Sequence, residues 1–362
     1  MSSDSYDLKD LGFDAFFSDQ VDITIRPEMI PARIASEHRG EYDVWSERGE
    51  ERAKLAAPLF RKLHKKRKGE LPGVGDWVAI HPDLDVDGIA VIEQIFERKT
   101  VFMRGAAGKE ARVQVVSANV DYVIMVSSLD DNYNIRRIER YLARIWASGA
   151  QPVMVLNKID LCDDPQRVLD EVATHCEGVP ILLISALNHT GVEQVRALIE
   201  PGKTAVLVGS SGTGKSTLIN ALFGECKMET GEVREKDSKG RHTTTRRQLL
   251  LFSDGGMIID TPGMRELQLF DDEGIDNVFA DIDALTAQCK FADCSHDSEP
   301  GCAVREALES GELDPGRFFS YQKMGREVRD FEERQDIYQR RKSEKAFGKM
   351  VKNAKKFKDQ ND

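Results

Sequence analysis

The stretch "VGSSGTGKST", Val208 to Thr217, reads Gly209-x4-Gly214-Lys215-Ser216 and lies between the apolar run "AVLV" (205–208) and the helically spaced run "STLINALF" (216–223). Glycines at these positions let backbone N–H groups turn inward around a phosphate, with Ser210, Ser211, Gly212 and Thr213 forming the loop between them. Lys215 is the expected contact to terminal phosphate oxygens and Ser216 the expected Mg2+ ligand. Thr217 follows on the first turn of a helix whose N-terminus favours negative charge. A strand, a glycine loop and a helix in this order predict a nucleotide phosphate site on an α/β sheet.

The segments that should complete such a site are scattered on both sides of it. "NKID" (Asn157, Lys158, Ile159, Asp160) follows the apolar run "VMVL". The Asp160 carboxylate can accept two hydrogen bonds from the N1–H and N2–H2 edge of guanine, a donor pair that adenine lacks. Asn157 can bond the other edge of the ring, and the stem of Lys158 can cover its face. "SAL" (Ser185, Ala186, Leu187) follows "PILLI" and offers an N–H to guanine O6. "DTPG" (260–263) closes the strand-like "MIID", where Asp260 is positioned to hold Mg2+ through water and the Gly263 N–H to sense a γ-phosphate. Between the phosphate loop and "DTPG" lies "SKGRHTTTRR", in which Thr243, Thr244 and Thr245 are equal candidates for the switch threonine.

The order along the chain is therefore NKID, SAL, phosphate loop, threonine segment, DTPG. Loops at the carboxyl ends of an open α/β sheet converge on one ligand wherever the chain begins, so this order is that of a GTPase cut open and rejoined, a circular permutation. With these motifs and "GRHTTT", the sequence from about Ala32 to Arg317 resembles the circularly permuted ribosome small-subunit-dependent GTPase A family (RsgA, also called YjeQ). The resemblance implies an OB-type barrel, a permuted GTPase domain and a zinc module. It also implies GTP hydrolysis in a maturation or checkpoint step of the small (30S) ribosomal subunit, stimulated by that subunit. Met264 stands directly after "DTPG", where Ras-like enzymes place a water-orienting glutamine. Other members of the resembled family also have an apolar residue there, and His242 is the candidate replacement.

Outside the nucleotide motifs, Cys289-x4-Cys294-x-His296-x5-Cys302 offers three thiolates and an imidazole, the donor set of a closed, structural tetrahedral zinc site. Asp293 and Asp297 are poorer ligands for so thiolate-rich a set. Six Lys or Arg fall between Arg61 and Lys68, and nine between Arg340 and Lys358. On a chain of net charge -11 they are local patches suited to rRNA rather than a general nucleic-acid coat.

The 362 residues are enough for two or three domains. The expected fold is multidomain α/β. It comprises a mobile N-terminal arm (1–31), an OB-fold β-barrel (32–112) with a basic loop after Phe60, a permuted GTPase domain (113–270), a zinc-binding helical module (271–320) and a basic helical tail (321–362). No apolar run approaches the roughly 18 to 20 residues that cross a bilayer, and the N-terminus is acidic, so a cytoplasmic monomer with no membrane partner is expected. The expected ligands are GTP or GDP with Mg2+, and one structural Zn2+. Two rival readings are a P-loop metabolic kinase or ATPase, and a non-hydrolysing RNA-binding protein with nucleotide as a structural ligand.

Overall fold

The computed structural model describes residues 5–21, 23–38, 40–65, 71–105, 113–225, 227, 247–261 and 269–336. The first strands form a closed barrel: β1 (Ile30–Glu37), β2 (Glu41–Ser46), β3 (Gly49–Leu55), β4 (Trp77–Ile80) and β5 (Ala90–Ile95). β1 pairs with both β2 and β4, β3 pairs with β2 and β5, and β4 pairs with β5, which leaves no open edge in the ring. Its interior is filled by alternate residues of these strands, among them Ala32, Ile34, Val44, Val78, Ile80 and Ile92.

The basic stretch expected as a loop begins as a helix, α2 (Ala57–Lys65). Leu59 packs against the barrel core, and Leu63, four residues on, is buried. The charge run obscured this spacing.

A hairpin of β6 (Val101–Gly105) and β7 (Val113–Ala118) leads into the second unit and crosses the domain boundary expected at 112. There a sheet runs in the order β10 (Ile181–Leu183), β9 (Gln151–Asn157), β8 (Tyr122–Ser128), β11 (Thr204–Val208), β13 (Met257–Asp260), β12 (Gln248–Leu251). The pairings β10–β9, β9–β8, β8–β11 and β11–β13 are parallel, and β12 returns antiparallel to β13. Apolar residues alternate between its faces. Ile124, Val126, Val153, Val155, Ala205, Leu207 and Ile258 pack on one side with α5 (Val192–Ala197) and α6 (Lys215–Phe223). Val123, Met125, Met154, Leu156, Val206, Val208 and Ile259 pack on the other with α3 (Ile135–Trp146) and with Val172 of α4 (Pro165–Ala173). Such two-sided burial is what continuous apolar strands require.

Beyond the sheet come α7 (Ile275–Val278), α8 (Ala280–Thr286) and α9 (Ala303–Ser310), then helix 315–336. This last helix runs through the boundary expected at 320. Met324, Val328 and Phe331 are buried at helical spacing, so residues 321–336 belong to the packed body rather than to a tail. The strongly basic part, from Arg340, lies outside the described residues. No helix among the described residues is long and apolar enough to cross a membrane.

The expectation of a mobile arm fails for the described part of residues 5–31. Leu11 and Phe17 are fully buried, and Phe13 and Phe17 pack with Trp77 and Phe96 of the barrel. Arg33, also buried, ties the joint. Its guanidinium donates to the carbonyls of Leu11, Gly75 (3.3 Å) and Asn119 (2.9 Å), which belong to the N-terminal segment, the barrel and the strand linker. Burial lowers its pKa to about 10, so it stays charged at neutral pH. Phe17→Ala should therefore cost about 3 to 5 kcal/mol, the range for removing a buried phenyl ring. Urea unfolding should show a lower midpoint at unchanged slope; an unchanged midpoint would contradict the packing.

Candidate functional site

The parallel strands end at one edge of the sheet, and NKID, SAL, the glycine loop and the described start of DTPG lie there. Residues 209–214 link β11 to the first turn of α6. Gly209 has φ +142°, and a Cβ on it would lie 2.3 Å from the Val126 carbonyl oxygen; Gly214 has φ +91°, and a Cβ would lie 2.2 Å from Asn157 Nδ2. Neither position accepts a side chain. Within the loop, Thr213 Oγ1 donates to the Ser210 carbonyl at 3.0 Å. Lys215 Nζ folds back to the carbonyls of Gly209 (2.8 Å) and Ser210 (2.6 Å). Ser211 is exposed, and Gly212, Ser216 and Thr217 are partly exposed.

Asn157 ends β9 and is buried. Its Nδ2 donates to the Thr213 carbonyl at 2.9 Å, and its Oδ1 accepts from the Ala186 N–H at 3.0 Å. One amide thus joins the NKID turn, the glycine loop and the SAL loop. Lys158 adopts a left-handed conformation (φ +65°) and its Nζ pairs with Asp130 Oδ2 at 2.7 Å. The next residues form a short 3-10 turn, Ile159–Leu161, held by the Ile159 N–H bond to the Ile184 carbonyl at 3.2 Å. That turn leaves the Asp160 carboxylate exposed. Ser185 exchanges two backbone bonds with Thr190, both 3.0 Å, and its Oγ accepts from Asn188 N–H, so the loop presents Leu187 to solvent.

Asp260 ends β13, buried beside Lys215. Burial raises its pKa to about 6 against the pull of the Lys215 ammonium, and burial lowers Lys215 to about 8. Next to it, Thr261 Oγ1 donates to the Leu207 carbonyl at 2.6 Å. Gly263, Met264, His242, Thr243, Thr244 and Thr245 lie outside the described residues.

The Cys/His cluster assembles between α8 and α9. The donor atoms of Cys289, Cys294, His296 and Cys302 all lie within 4.8 Å of one another. Cys289 and Cys302 sulfurs are 3.9 Å apart, and His296 Nδ1 is 3.6 and 3.5 Å from them. A tetrahedron with metal–sulfur bonds of about 2.3 Å and a metal–nitrogen bond of about 2.0 Å has edges of roughly 3.5 to 3.8 Å, so the group fits a metal such as zinc. Cys302 also caps α9 through its sulfur and Arg305 N–H (3.5 Å), and Glu299 gathers the N–H groups of Ser295, Asp297 and Ser298.

Two residues at this edge of the sheet carry no sequence signal. Asp130 holds Lys158, and Arg137 of α3 donates to Ser210 Oγ at 3.1 Å. Both sit far from their partners in the chain, and no local pattern marks them. The electrostatics of Lys215 yield a pH signature. Phosphates favour its charged form and lift its pKa from about 8, so GDP binding without Mg2+ should take up about one proton per site at pH 9 and little at pH 7. Affinity should fall as pH rises above about 8. Calorimetry in buffers of different ionisation enthalpy reads this directly, and no buffer dependence at pH 9 would contradict it.

The family model described as RsgA GTPase matches residues 95–270. A relative from Opitutus terrae named small ribosomal subunit biogenesis GTPase RsgA is 43% identical over 88% of this chain and 89% of its own length. One from Vibrio parahaemolyticus, named small ribosomal subunit biogenesis GTPase RsgA 2, is 40% identical over 97% and 93%. Among solved structures, YjeQ from Thermotoga maritima superposes with a TM-score of 0.59 at 30% identity, covering 83% of this chain and 98% of that one. YloQ, described as a circularly permuted GTPase, gives 0.57 at 25% identity, covering 83% and 96%. With the barrel, the parallel sheet with rotated strand order and the Cys/His group in one chain, these likenesses establish that the protein belongs to the RsgA GTPase family.

Proposed function

We propose that the chain hydrolyses GTP to GDP and phosphate as a maturation or checkpoint factor of the small ribosomal subunit. The observation that carries the nucleotide reading is the Asn157 amide, which brackets the phosphate loop and the SAL loop beside Asp160 at one sheet edge. The relatives named for small-subunit biogenesis carry the rest.

In this reading the Asp160 carboxylate accepts from guanine, the Lys158 stem lies along the ring, and the SAL backbone meets O6. Lys215 exchanges its two carbonyl acceptors for phosphate oxygens, and the backbone N–H groups of 210–217 hold the rest of the phosphate chain. Ser216 and Asp260 are the residues to hold Mg2+, which when bound draws charge off the phosphates. Gly263, a threonine among 243–245 and His242 are proposed for γ-phosphate sensing, the switch and water positioning. The Cys/His group is proposed to bind one structural zinc, since four protein donors fill a tetrahedron and leave no open position. The working division is a barrel (32–112), a GTPase unit (113–270) and a metal module (271–320), its limits shifted where the β6–β7 hairpin and helix 315–336 cross them. We assign the protein to the cytoplasm as a monomer.

The barrel with its basic helix α2, the metal module and the basic C-terminus are the proposed rRNA contacts. Docking would complete the site in trans. The test is GTP turnover with each purified ribosomal subunit. The small subunit should accelerate it strongly, within the roughly 10³ to 10⁵ range that activating partners reach, and the large subunit should not. The stimulation should fade as salt rises, because phosphate contacts release counterions. Equal turnover with either subunit or with none would overturn the ribosomal reading.

A further inference from the structure

Helix α3 carries arginines at 136, 137, 140 and 144, and each reaches a different part of the molecule. Arg137 donates to Ser210 Oγ in the phosphate loop at 3.1 Å and to the Asn132 carbonyl at 3.3 Å. Positions 136, 140 and 144 recur every fourth residue and so share a broad face, centred about 60° away from Arg137. On that face Arg140 pairs with Glu327 of helix 315–336 at 2.6 Å. The other oxygen of Glu327 accepts the Leu269 N–H at 3.1 Å. Arg144, buried, pairs with Asp271 and covers the Phe270 ring at 3.8 Å. Arg136 pairs with Asp314 and with Glu139.

Glu139 is the least expected of these groups. It is fully buried on α3, accepts Arg317 at 3.0 Å, and its Oε2 is buried without a hydrogen-bond partner among the described residues. Arg317 in turn grips Asp281 of α8 through two bonds, 2.7 and 2.8 Å. A half-satisfied buried carboxylate is costly, and apolar residues of the same volume would hold two packed elements together at least as well. What the ionic arrangement adds is direction: it fixes the angle and height of α3 against the metal module, and a rigid helix carries that position to Ser210.

We propose that α3 couples the phosphate loop to the metal module and helix 315–336, with Arg137 as the positioning residue on Ser210 and Glu139, Arg140 and Arg144 as the grips at the other side. The coupling rests on the reading of 209–217 as a nucleotide phosphate loop. It is reciprocal: whatever phosphate occupancy does to helix 315–336, a partner docked on that helix does to the phosphate loop.

Hydrogen exchange of the full chain, saturated with GDP or with a non-hydrolysable GTP analogue, tests it. Amides of 315–336 should differ in protection between the two states by about fivefold or more, the low end of allosteric couplings. In Arg137→Ala and in Arg140→Ala, each saturated with the same nucleotides, the difference should fall below about twofold. In Arg326→Ala, on an exposed turn of the same helix, it should persist. Binding of both nucleotides with equal protection of 315–336, or a difference undiminished in both α3 variants, would overturn the coupling alone. Absence of saturable binding of either nucleotide would overturn the site reading and the coupling with it.

Discussion

The Asn157 side chain is the point on which the carboxyl edge of the parallel sheet turns. Its amide donates to the carbonyl of Thr213 and accepts from the N–H of Ala186, so three loops separated by up to 56 residues of chain are held by one planar group. Buried polar groups must be paired, and this one is paired only when all three loops are in place. Gly214 is bound to the same constraint, because a Cβ there would collide with the amide. The requirement is spatial. Parallel strands β9, β8, β11 and β13 deliver their carboxyl ends to one edge whatever their sequence order, which is why a rotated chain order costs the site nothing.

Around that clamp the site is electrostatically incomplete. Burial pushes Lys215 down and Asp260 up, toward their neutral forms, and among the described residues the lysine donates to carbonyls of the loop it should serve. Phosphates and a divalent cation are the charges that would restore both groups to their ordinary ionisation. The rest of the molecule is built to hold this edge in register with the barrel and the metal module. Arg33 does so at the base of the sheet, where it joins the N-terminal segment, the barrel and the strand linker, and α3 does so along its length.

What the sequence revealed and what it hid follow one physical distinction. The phosphate loop, the four buried strands and the Cys/His group are written in short-range terms: glycine spacing, apolar runs and ligand intervals. The N-terminal segment was hidden because Leu11, Phe13 and Phe17 follow no sustained period; Leu11 and Phe17 are buried and Phe13 packs half-buried on Trp77 of the barrel. Helix α2 was hidden by its charge, and the boundaries at 112 and 320 by a hairpin and a helix that span units. Asn157 was visible as a motif residue, but its clamp depends on Thr213 and Ala186, whose relation to it exists only in the fold. The same holds for Asp130 with Lys158 and for Arg137 with Ser210.

The central claim is that the 157–160 turn and the 209–217 loop form a single guanine nucleotide site. Asp160, exposed on its 3-10 turn, is the residue on which base choice should rest. The most direct measurement is the affinity of wild type and Asp160→Asn for GDP and for xanthosine diphosphate. Asparagine keeps the shape but replaces one acceptor with a donor, which suits the O2 of xanthine. GDP affinity should fall by about 1.5 to 3 kcal/mol, roughly 10- to 150-fold, while affinity for the xanthine nucleotide rises. GDP binding by Asp160→Asn at the wild-type affinity would contradict the account.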